Sequence, residues 1–347
     1  MTDSAATKDT ASDGASSDDG LVVRIQGLRK VFKSFSWQRE RGVWRKLRRV
    51  LRGRVQEVVA VQNLDLDIRR GEVFGLLGPN GSGKSTTIKI MLGLVAPSAG
   101  EVEVLARSPH AVDVKHRIGF LPEESYLYRF LTADETLDFY GKLFDIPRQE
   151  RRERANRLVE LVGLEHARNR QLREYSKGMA RRIGLAQALI NDPDLVILDE
   201  PTTGLDPIGT TEMKRLIERL KGEGKTVLLC SHLLADVEEV CDRVAIMCDG
   251  ELLAKGPLEE LLSLRDQLEV RIDRADKAFQ ERLRRFLESE GAAVAAMQNA
   301  SDSLARLFLR LIDERFPEKI PERVRGELMP AAPQSTPEQQ EQAAPAP

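Results

Sequence analysis

Cysteine, tryptophan and long apolar runs are scarce in this chain of 347 residues. Its three cysteines, Cys230, Cys241 and Cys248, are odd in number and lack a paired spacing, which argues against a disulfide framework and predicts reduced core thiols. No apolar stretch approaches the roughly 18 residues that a membrane-spanning helix needs. The acidic, polar start also lacks the charged-then-apolar pattern of a secretion signal. The sequence therefore predicts a cytoplasmic protein without a membrane span of its own.

An excess of charge of one sign is also missing. The formal net charge is −2, which gives no overall attraction to nucleic acid. Hydrophobic residues make up 41% of the chain and charged residues 31%. This balance is enough for one substantial core with some length left for extensions.

One stretch matches the phosphate-binding loop pattern GxxxxGK[ST] at every fixed position. The loop and the residue after it are Gly78, Pro79, Asn80, Gly81, Ser82, Gly83, Lys84, Ser85 and Thr86. The apolar run Val73–Leu77 predicts a buried strand before the loop, and Thr86–Leu94 predicts a helix after it. Glycines let backbone N–H groups face phosphate oxygens, while Lys84 supplies charge and Ser85 a hydroxyl for Mg²⁺. The sequence therefore predicts a nucleoside triphosphate site.

A pair of carboxylates follows a second apolar run. The run is 195–198, and Asp199 and Glu200 come directly after it. Two carboxylates at the end of a buried strand are costly unless they serve a cation or a reaction. Asp199 suits Mg²⁺, and Glu200 is placed to polarise an attacking water. Without the phosphate-binding loop, the same pair of carboxylates could be an acidic turn at the end of a strand.

Between these motifs, Tyr175–Met179 leads into an apolar-spaced helix. Ser176 is predicted to cap that helix, and Gly178 to allow close approach of a phosphate. Taken alone, these five residues could form an ordinary helix cap with no phosphate contact. In this order and spacing, however, the segment resembles the signature sequence, usually LSGGQ, of ATP-binding cassette (ABC) ATPases.

The resemblance implies roles for four further residues. Asp206, in Pro201–Pro207, matches the loop that faces the second cassette of a dimer. His232 matches the switch histidine that contacts the γ-phosphate, and Phe32 the aromatic residue that stacks on adenine. Glu123 stands where the family usually carries a glutamine that touches Mg²⁺. A carboxylate there adds negative charge near the metal, so Glu123 either binds Mg²⁺ more tightly or takes no direct part until the site closes.

The signature also departs from the usual form. Lys177 and Met179 replace Gly and Gln, so the family contacts carry over only to Ser176 and Gly178. Together with the sequence around Glu123, this variant resembles cassettes that serve ABC-2 type exporters.

The predicted fold is α/β, a P-loop NTPase (RecA-like) core with a mostly parallel sheet and an antiparallel β flank. This cassette covers 21–264 and includes an inserted helical subdomain at about 124–190. A small C-terminal α+β appendage is predicted at 265–325. The tails 1–20 and 326–347 have compositions typical of disorder.

A basic insert at 34–58 is not explained by the family resemblance. As a helix it would place Trp44, Leu47 and Leu51 on one face, surrounded by arginine and lysine. Such a segment suits anionic lipid head groups or an acidic groove of a membrane partner. A helix packed on the protein's own sheet is an equal alternative, and nucleic acid is a weaker third.

The resemblance implies an ATP-binding and ATP-hydrolysing subunit of an ABC transporter that powers export through separate membrane permeases. ATP and Mg²⁺ would lie between two cassettes, identical or related, at the cytoplasmic face of the membrane, and no nucleic acid is expected. Alternatives are an ABC-type translation or DNA factor, which would ordinarily carry two cassettes or a long coiled coil. A non-hydrolysing ATP-dependent scaffold is disfavoured because Glu200 and His232 are both present.

Overall fold

The computed structural model describes residues 20–36, 54–263 and 276–289. These residues divide into two compact units, one of 20–205 with 213–261 and the other of 206–212 with 262–289. Nearly all of both predicted tails and most of the appendage lie outside the described residues.

The strands fall into two sheets. They are β1 (Leu21–Ser36), β2 (Arg54–Arg69), β3 (Val73–Leu77), β4 (Ala99–Val104), β5 (Ile118–Leu121), β6 (Leu195–Asp199), β7 (Thr226–Ser231), β8 (Arg243–Cys248) and β9 (Glu251–Pro257). One sheet has the order β2-β1-β4 and is antiparallel throughout. The other has the order β5-β6-β7-β3-β8-β9, and only its β8–β9 edge is antiparallel. The predicted fold class, a mostly parallel sheet with an antiparallel flank, is confirmed.

The helices lie between and after these strands. They are α1 (Lys84–Met91), α2 (Val112–His116), α3 (Ala133–Leu143), α4 (Arg148–Leu161), α5 (Lys177–Ala188), α6 (Pro207–Gly222), α7 (Leu234–Val240), α8 (Leu258–Leu262) and α9 (Lys277–Ser289). Among the described segments, none of these helices is long and apolar enough to cross a membrane. Helix α9 lies within the region predicted as a small C-terminal appendage.

The parallel strands at the centre of the larger sheet are buried along their whole length. Every residue of β3 and of β7 is buried. Strands covered on both faces need nearly continuous apolar sequence, which explains why these runs were recognisable. Leu77, Leu198 and Leu229 belong to the core on one side of the sheet, and Phe74 and Leu228 to the core on the other.

Three helices, α3, α4 and α5, form the helical region between β5 and β6. A capping box starts α3: Glu135 N–H donates to Thr132 Oγ1 (3.3 Å), and Thr132 N–H donates to Glu135 Oε2 (2.8 Å). Pro147 directly precedes α4 as its N-cap residue, because proline cannot continue a preceding helix. Leu137, Val159 and Ile183 are fully buried in one core shared by the three helices.

The structure corrects two predicted boundaries. Strand β1 continues to Ser36 and β2 begins at Arg54, so both ends of the predicted 34–58 insert are strand. Backbone pairing between two neighbouring strands extends the hairpin beyond the point where apolar alternation stops. The middle of the insert, 37–53, lies outside the described residues. The helix predicted at 86–94 instead covers Lys84–Met91.

Candidate nucleotide-binding site

The predicted site residues converge because β3, β6 and β7 are parallel neighbours. In that arrangement the carboxyl ends of the strands meet at one edge of the sheet. Leu77 pairs with Ser231, and Asp199 pairs with Cys230. The edge holds a cavity of about 210 Å³. Its lining residues are Ala60, Asn80, Gly81, Ser82, Gly83, Lys84, Ser85, Thr86, Glu123, Asp199, Glu200 and His232.

The glycine loop after β3 is shaped so tightly that two positions exclude a side chain. A Cβ at Gly78 (φ +151°) would lie 2.1 Å from the Met247 carbonyl oxygen. A Cβ at Gly83 (φ +101°) would lie 2.5 Å from the Ala60 carbonyl oxygen. Only glycine fits such contacts, so the loop backbone closes into a cradle with α1 beginning at its end.

Lys84 extends back over this cradle. Its ammonium donates to the carbonyl oxygens of Gly78 (2.6 Å) and Pro79 (3.1 Å), and the residue is 6% exposed. These contacts hold the charge at the loop, where a bound phosphate would meet it.

Glu200 is fixed by contacts on both carboxylate oxygens. Its Oε1 lies 2.8 Å from His232 Nδ1, and its Oε2 accepts from Thr203 Oγ1 at 3.1 Å. The backbone of Glu200 is in the left-handed region (φ +50°), which is rare for residues other than glycine. Its N–H donates to the Cys230 carbonyl oxygen at 2.8 Å and anchors that turn. A strained, buried carboxylate with a histidine partner is typical of a functional group.

Asp199 lies beside Glu200 in a cluster of negative charge. Burial raises the pKa of Asp199, the nearby carboxylates of Glu200 and Glu123 raise it further, and a hydrogen bond with the Cys230 side chain lowers it. Burial also raises the pKa of the Cys230 thiol, so this thiol stays neutral. Because burial and the neighbouring carboxylates both disfavour the charged form of Asp199, a cation bound beside Asp199 would be stabilised.

Arg181 is a residue of the site that sequence reasoning missed. Arg181 is buried, and within the described part of the chain it donates only to backbone oxygens of segments next to the cavity. The acceptors are Pro122, Glu123, Asp199, Glu200 and Pro201. Burial lowers the pKa of Arg181 to about 10, against the opposing effect of Asp199, Glu123 and Glu200. The available signal was the pair Arg181–Arg182 in an otherwise apolar-spaced helix.

Five predicted residues of the same unit are not in the lining of this cavity: Gly78, Pro79, Ser176, Gly178 and Phe32. Ser176 caps α5 as predicted, accepting from Met179 N–H at 3.2 Å, but neither Ser176 nor Gly178 is in the lining. Phe32 lies on β1, 41% exposed, with Lys30 Nζ 5.0 Å from its ring centroid.

Asp206 belongs to the second unit. Its carboxylate accepts from the Gly209 N–H at 2.7 Å, which fixes the start of α6.

Comparison with known proteins places this arrangement in one family. Residues 61–203 match the sequence pattern of the family described as ABC transporter. An uncharacterized ABC transporter ATP-binding protein of Synechocystis sp. is 49% identical over 62% of this chain, and the match spans 61% of that relative. One from Nostoc sp. is 42% identical over 74% of this chain and 72% of the relative.

Two further matches extend the comparison. The Nod factor export ATP-binding protein I of Ralstonia nicotianae is 38% identical over 61% of this chain and 67% of its own length. Among solved structures, the post-hydrolysis dimer of the ATP-binding cassette MJ0796 with ADP and Pi superposes with a TM-score of 0.57. It is 26% identical, over 68% of this chain and 98% of that chain. With the phosphate loop, the carboxylate pair and the histidine at one sheet edge, the chain belongs to the ATP-binding proteins of ABC transporters and is an ABC ATPase.

Proposed function

We propose that this chain is the motor subunit of an ABC exporter and hydrolyses MgATP in the cavity at the sheet edge. The observation that carries the proposal is the 2.8 Å contact between Glu200 and His232 in a cavity lined by the phosphate loop. Glu200 is the general base that polarises the attacking water, and His232 orients Glu200 and senses the γ-phosphate. Lys84 neutralises charge on the outer phosphates.

Oxygen donors in the cavity fit a magnesium ion. Ser85, Asp199 and Glu123 line it together and offer the hard oxygen ligands that Mg²⁺ prefers. Within the described part of the chain, no cluster of three or more His, Cys, Asp or Glu residues could hold a metal by itself. Phosphate oxygens and water would therefore complete the coordination, and bound Mg²⁺ would offset charge on the phosphates.

Removing the metal is expected to stop turnover. Excess EDTA should reduce ATP hydrolysis to background, and added Mg²⁺ should restore it. Asp199→Asn, which keeps the shape and removes the charge, should raise the Mg²⁺ concentration for half-maximal rate by about 10–100-fold, the usual range when the shell around a metal is altered. Asp194→Asn is the matched control, because Asp194 pairs instead with Arg117 outside the cavity. Equal Mg²⁺ requirements in both variants would contradict the assignment of Asp199.

The signature residues serve a second cassette in this proposal. Ser176 and Gly178 open α5 without lining the cavity of their own subunit, although the exposed first turn of a helix is suited to a phosphate. We therefore place ATP between the phosphate loop of one cassette and Ser176 and Gly178 of its partner, with Asp206 at the junction. The solved cassette MJ0796, a dimer bound to ADP and Pi, supports a dimeric arrangement.

Export through separate permeases is the transport role we propose, with the chain at the cytoplasmic face of the membrane. It is supported by similarity to the Nod factor export protein and by the absence of any spanning helix among the described residues. Opening and closing of the cassette dimer would move the permeases.

Anionic lipid is the proposed contact of the basic insert. Both tryptophans, Trp37 and Trp44, lie in 37–53, a segment rich in arginine that β1 and β2 flank. Vesicles containing phosphatidylserine should shift the tryptophan emission to shorter wavelength, because the indole rings enter the apolar boundary. Neutral phosphatidylcholine vesicles and high salt are the controls, since charge attraction is screened by salt. An emission spectrum that anionic vesicles leave unchanged would contradict lipid contact.

A further inference from the structure

Arg181 connects the signature helix to the catalytic edge of the sheet. It lies on α5, five residues after Ser176, so one continuous helix carries both. The Arg181 residue is only 6% exposed. A buried cation normally pairs with a carboxylate, whereas the hydrogen bonds that Arg181 makes to the described residues all go to backbone carbonyls.

The carbonyls come from two segments that carry site carboxylates. Arg181 Nη1 donates to the oxygens of Pro122 and Glu123, the latter at 2.9 Å. On the other side, Nη2 donates to Asp199 and Glu200, the latter at 2.8 Å, and Nε donates to Pro201 at 3.1 Å. A guanidinium has five N–H donors in a rigid planar fork, so its hydrogen-bonding capacity matches the five acceptors.

This geometry makes the positions of the two segments depend on α5. The bonds reach the backbone at Glu123, Asp199 and Glu200 themselves, so a displacement of the helix is transmitted to the residues whose side chains line the cavity. A connection through several flexible side chains would not transmit a displacement of α5 in this way, because the side chains could rotate instead. The link therefore joins the cavity of the subunit to the helix that Ser176 caps.

We infer that Arg181 is a positioning residue that couples the two ATP sites of a cassette dimer. The inference rests on the proposed function, in which Ser176 serves the partner's ATP while Glu123, Asp199 and Glu200 serve the subunit's own. Engagement of Ser176 by one nucleotide then sets the carboxylates that act on the other. Arg181 does not touch substrate; it acts through the backbone of the groups that do.

The test compares Arg181→Gln and Arg181→Lys with the control Arg154→Gln in the full chain. Arg154 is also partly buried and donates to a backbone carbonyl, that of Ile190 (2.8 Å), but does not reach the site segments. ATPase rates are measured against ATP concentration, and binding of a fluorescent ATP analogue and the melting temperature are measured on the same samples. Arg181→Gln should bind nucleotide like the wild type, with kcat lower by about 10–100-fold, as for other residues that orient a site. Its Hill coefficient should fall from above one to about one.

The variant Arg181→Lys separates the effect of the positive charge from the effect of hydrogen-bonding to both backbone segments. Lysine keeps the positive charge but has three donors on one atom, so it cannot span both segments. It should recover part of kcat while the Hill coefficient stays close to that of Arg181→Gln. The inference is overturned if Arg181→Gln and Arg154→Gln have the same kcat and Hill coefficient. It is also overturned if both Arg181 variants lose nucleotide binding, kcat and melting temperature together, since that pattern marks a purely structural role.

The proposed function fails differently. If Glu200→Gln forms no ATP-bound dimer on size-exclusion chromatography and the wild type shows a Hill coefficient of one, the proposed dimer fails and the inference fails with it. If the wild type is cooperative and Arg181→Gln has the same kcat and Hill coefficient as the wild type, only the inference about Arg181 fails.

Discussion

Glu200→Gln is expected to lower kcat for ATP hydrolysis by about 10²–10⁴-fold, the range that general-base catalysis usually supplies. Glutamine has the same shape and can keep contacts with His232 and Thr203, which lie 2.8 and 3.1 Å from the carboxylate oxygens. It is not basic enough to take a proton from water. Nucleotide binding should therefore survive while turnover stops, and an ATP-bound dimer should accumulate on size-exclusion chromatography.

The control for this prediction is Glu124→Gln. Glu124 lies one residue beyond Glu123, accepts a hydrogen bond from Tyr126 and does not line the cavity, so its loss should leave kcat unchanged. Hydrolysis by Glu200→Gln at the wild-type rate would show that the base is another group or that the turnover measured is not at this site.

Lys84→Ala is expected to weaken ATP binding by about 100-fold or more, the effect of losing a buried charge contact worth a few kcal/mol. The Lys84 ammonium is held at the loop by the carbonyls of Gly78 and Pro79, ready to exchange them for phosphate oxygens. Alanine removes the charge and leaves those carbonyls without this donor. Titration with a fluorescent ATP analogue measures the change in Kd.

Lys89→Ala is the matched control for this variant. Lys89 is an exposed lysine on the same helix and does not line the cavity, so the Kd of Lys89→Ala should equal that of the wild type. A Kd for Lys84→Ala within error of the wild type would contradict the assignment of the phosphate loop as the nucleotide site.

Much of the cavity was predictable because its residues follow buried parallel strands. Val73–Leu77 and Leu195–Leu198 are apolar on both faces, so their ends could be located without structural information. Polar residues at the ends of such neighbours have to meet at one edge. For the same reason Lys84 and Asp199, far apart in sequence, were predicted to serve one nucleotide.

The contacts of Arg181 could not be predicted, because its partners are backbone atoms distant in sequence. The carbonyl oxygen of Pro122 is 59 residues away in sequence. No pattern of side chains shows which backbone carbonyl will accept a hydrogen bond from Arg181. The left-handed backbone of Glu200 was hidden for a related reason, since it depends on the hydrogen bond to Cys230 on the neighbouring strand. Likewise, Ser36 and Arg54 pair as strand because the hairpin continues, although their local sequence is basic and polar.

The most direct test of the two-cassette ATP site is the structure of the Glu200→Gln protein crystallised with MgATP. We expect a dimer with each nucleotide between Gly78–Thr86 of one subunit and Ser176 and Gly178 of the other. Glu123 and Asp199 should lie beside the metal. A nucleotide bound elsewhere, or one held at the phosphate loop of a monomer with Ser176 facing solvent, would contradict the two-cassette site.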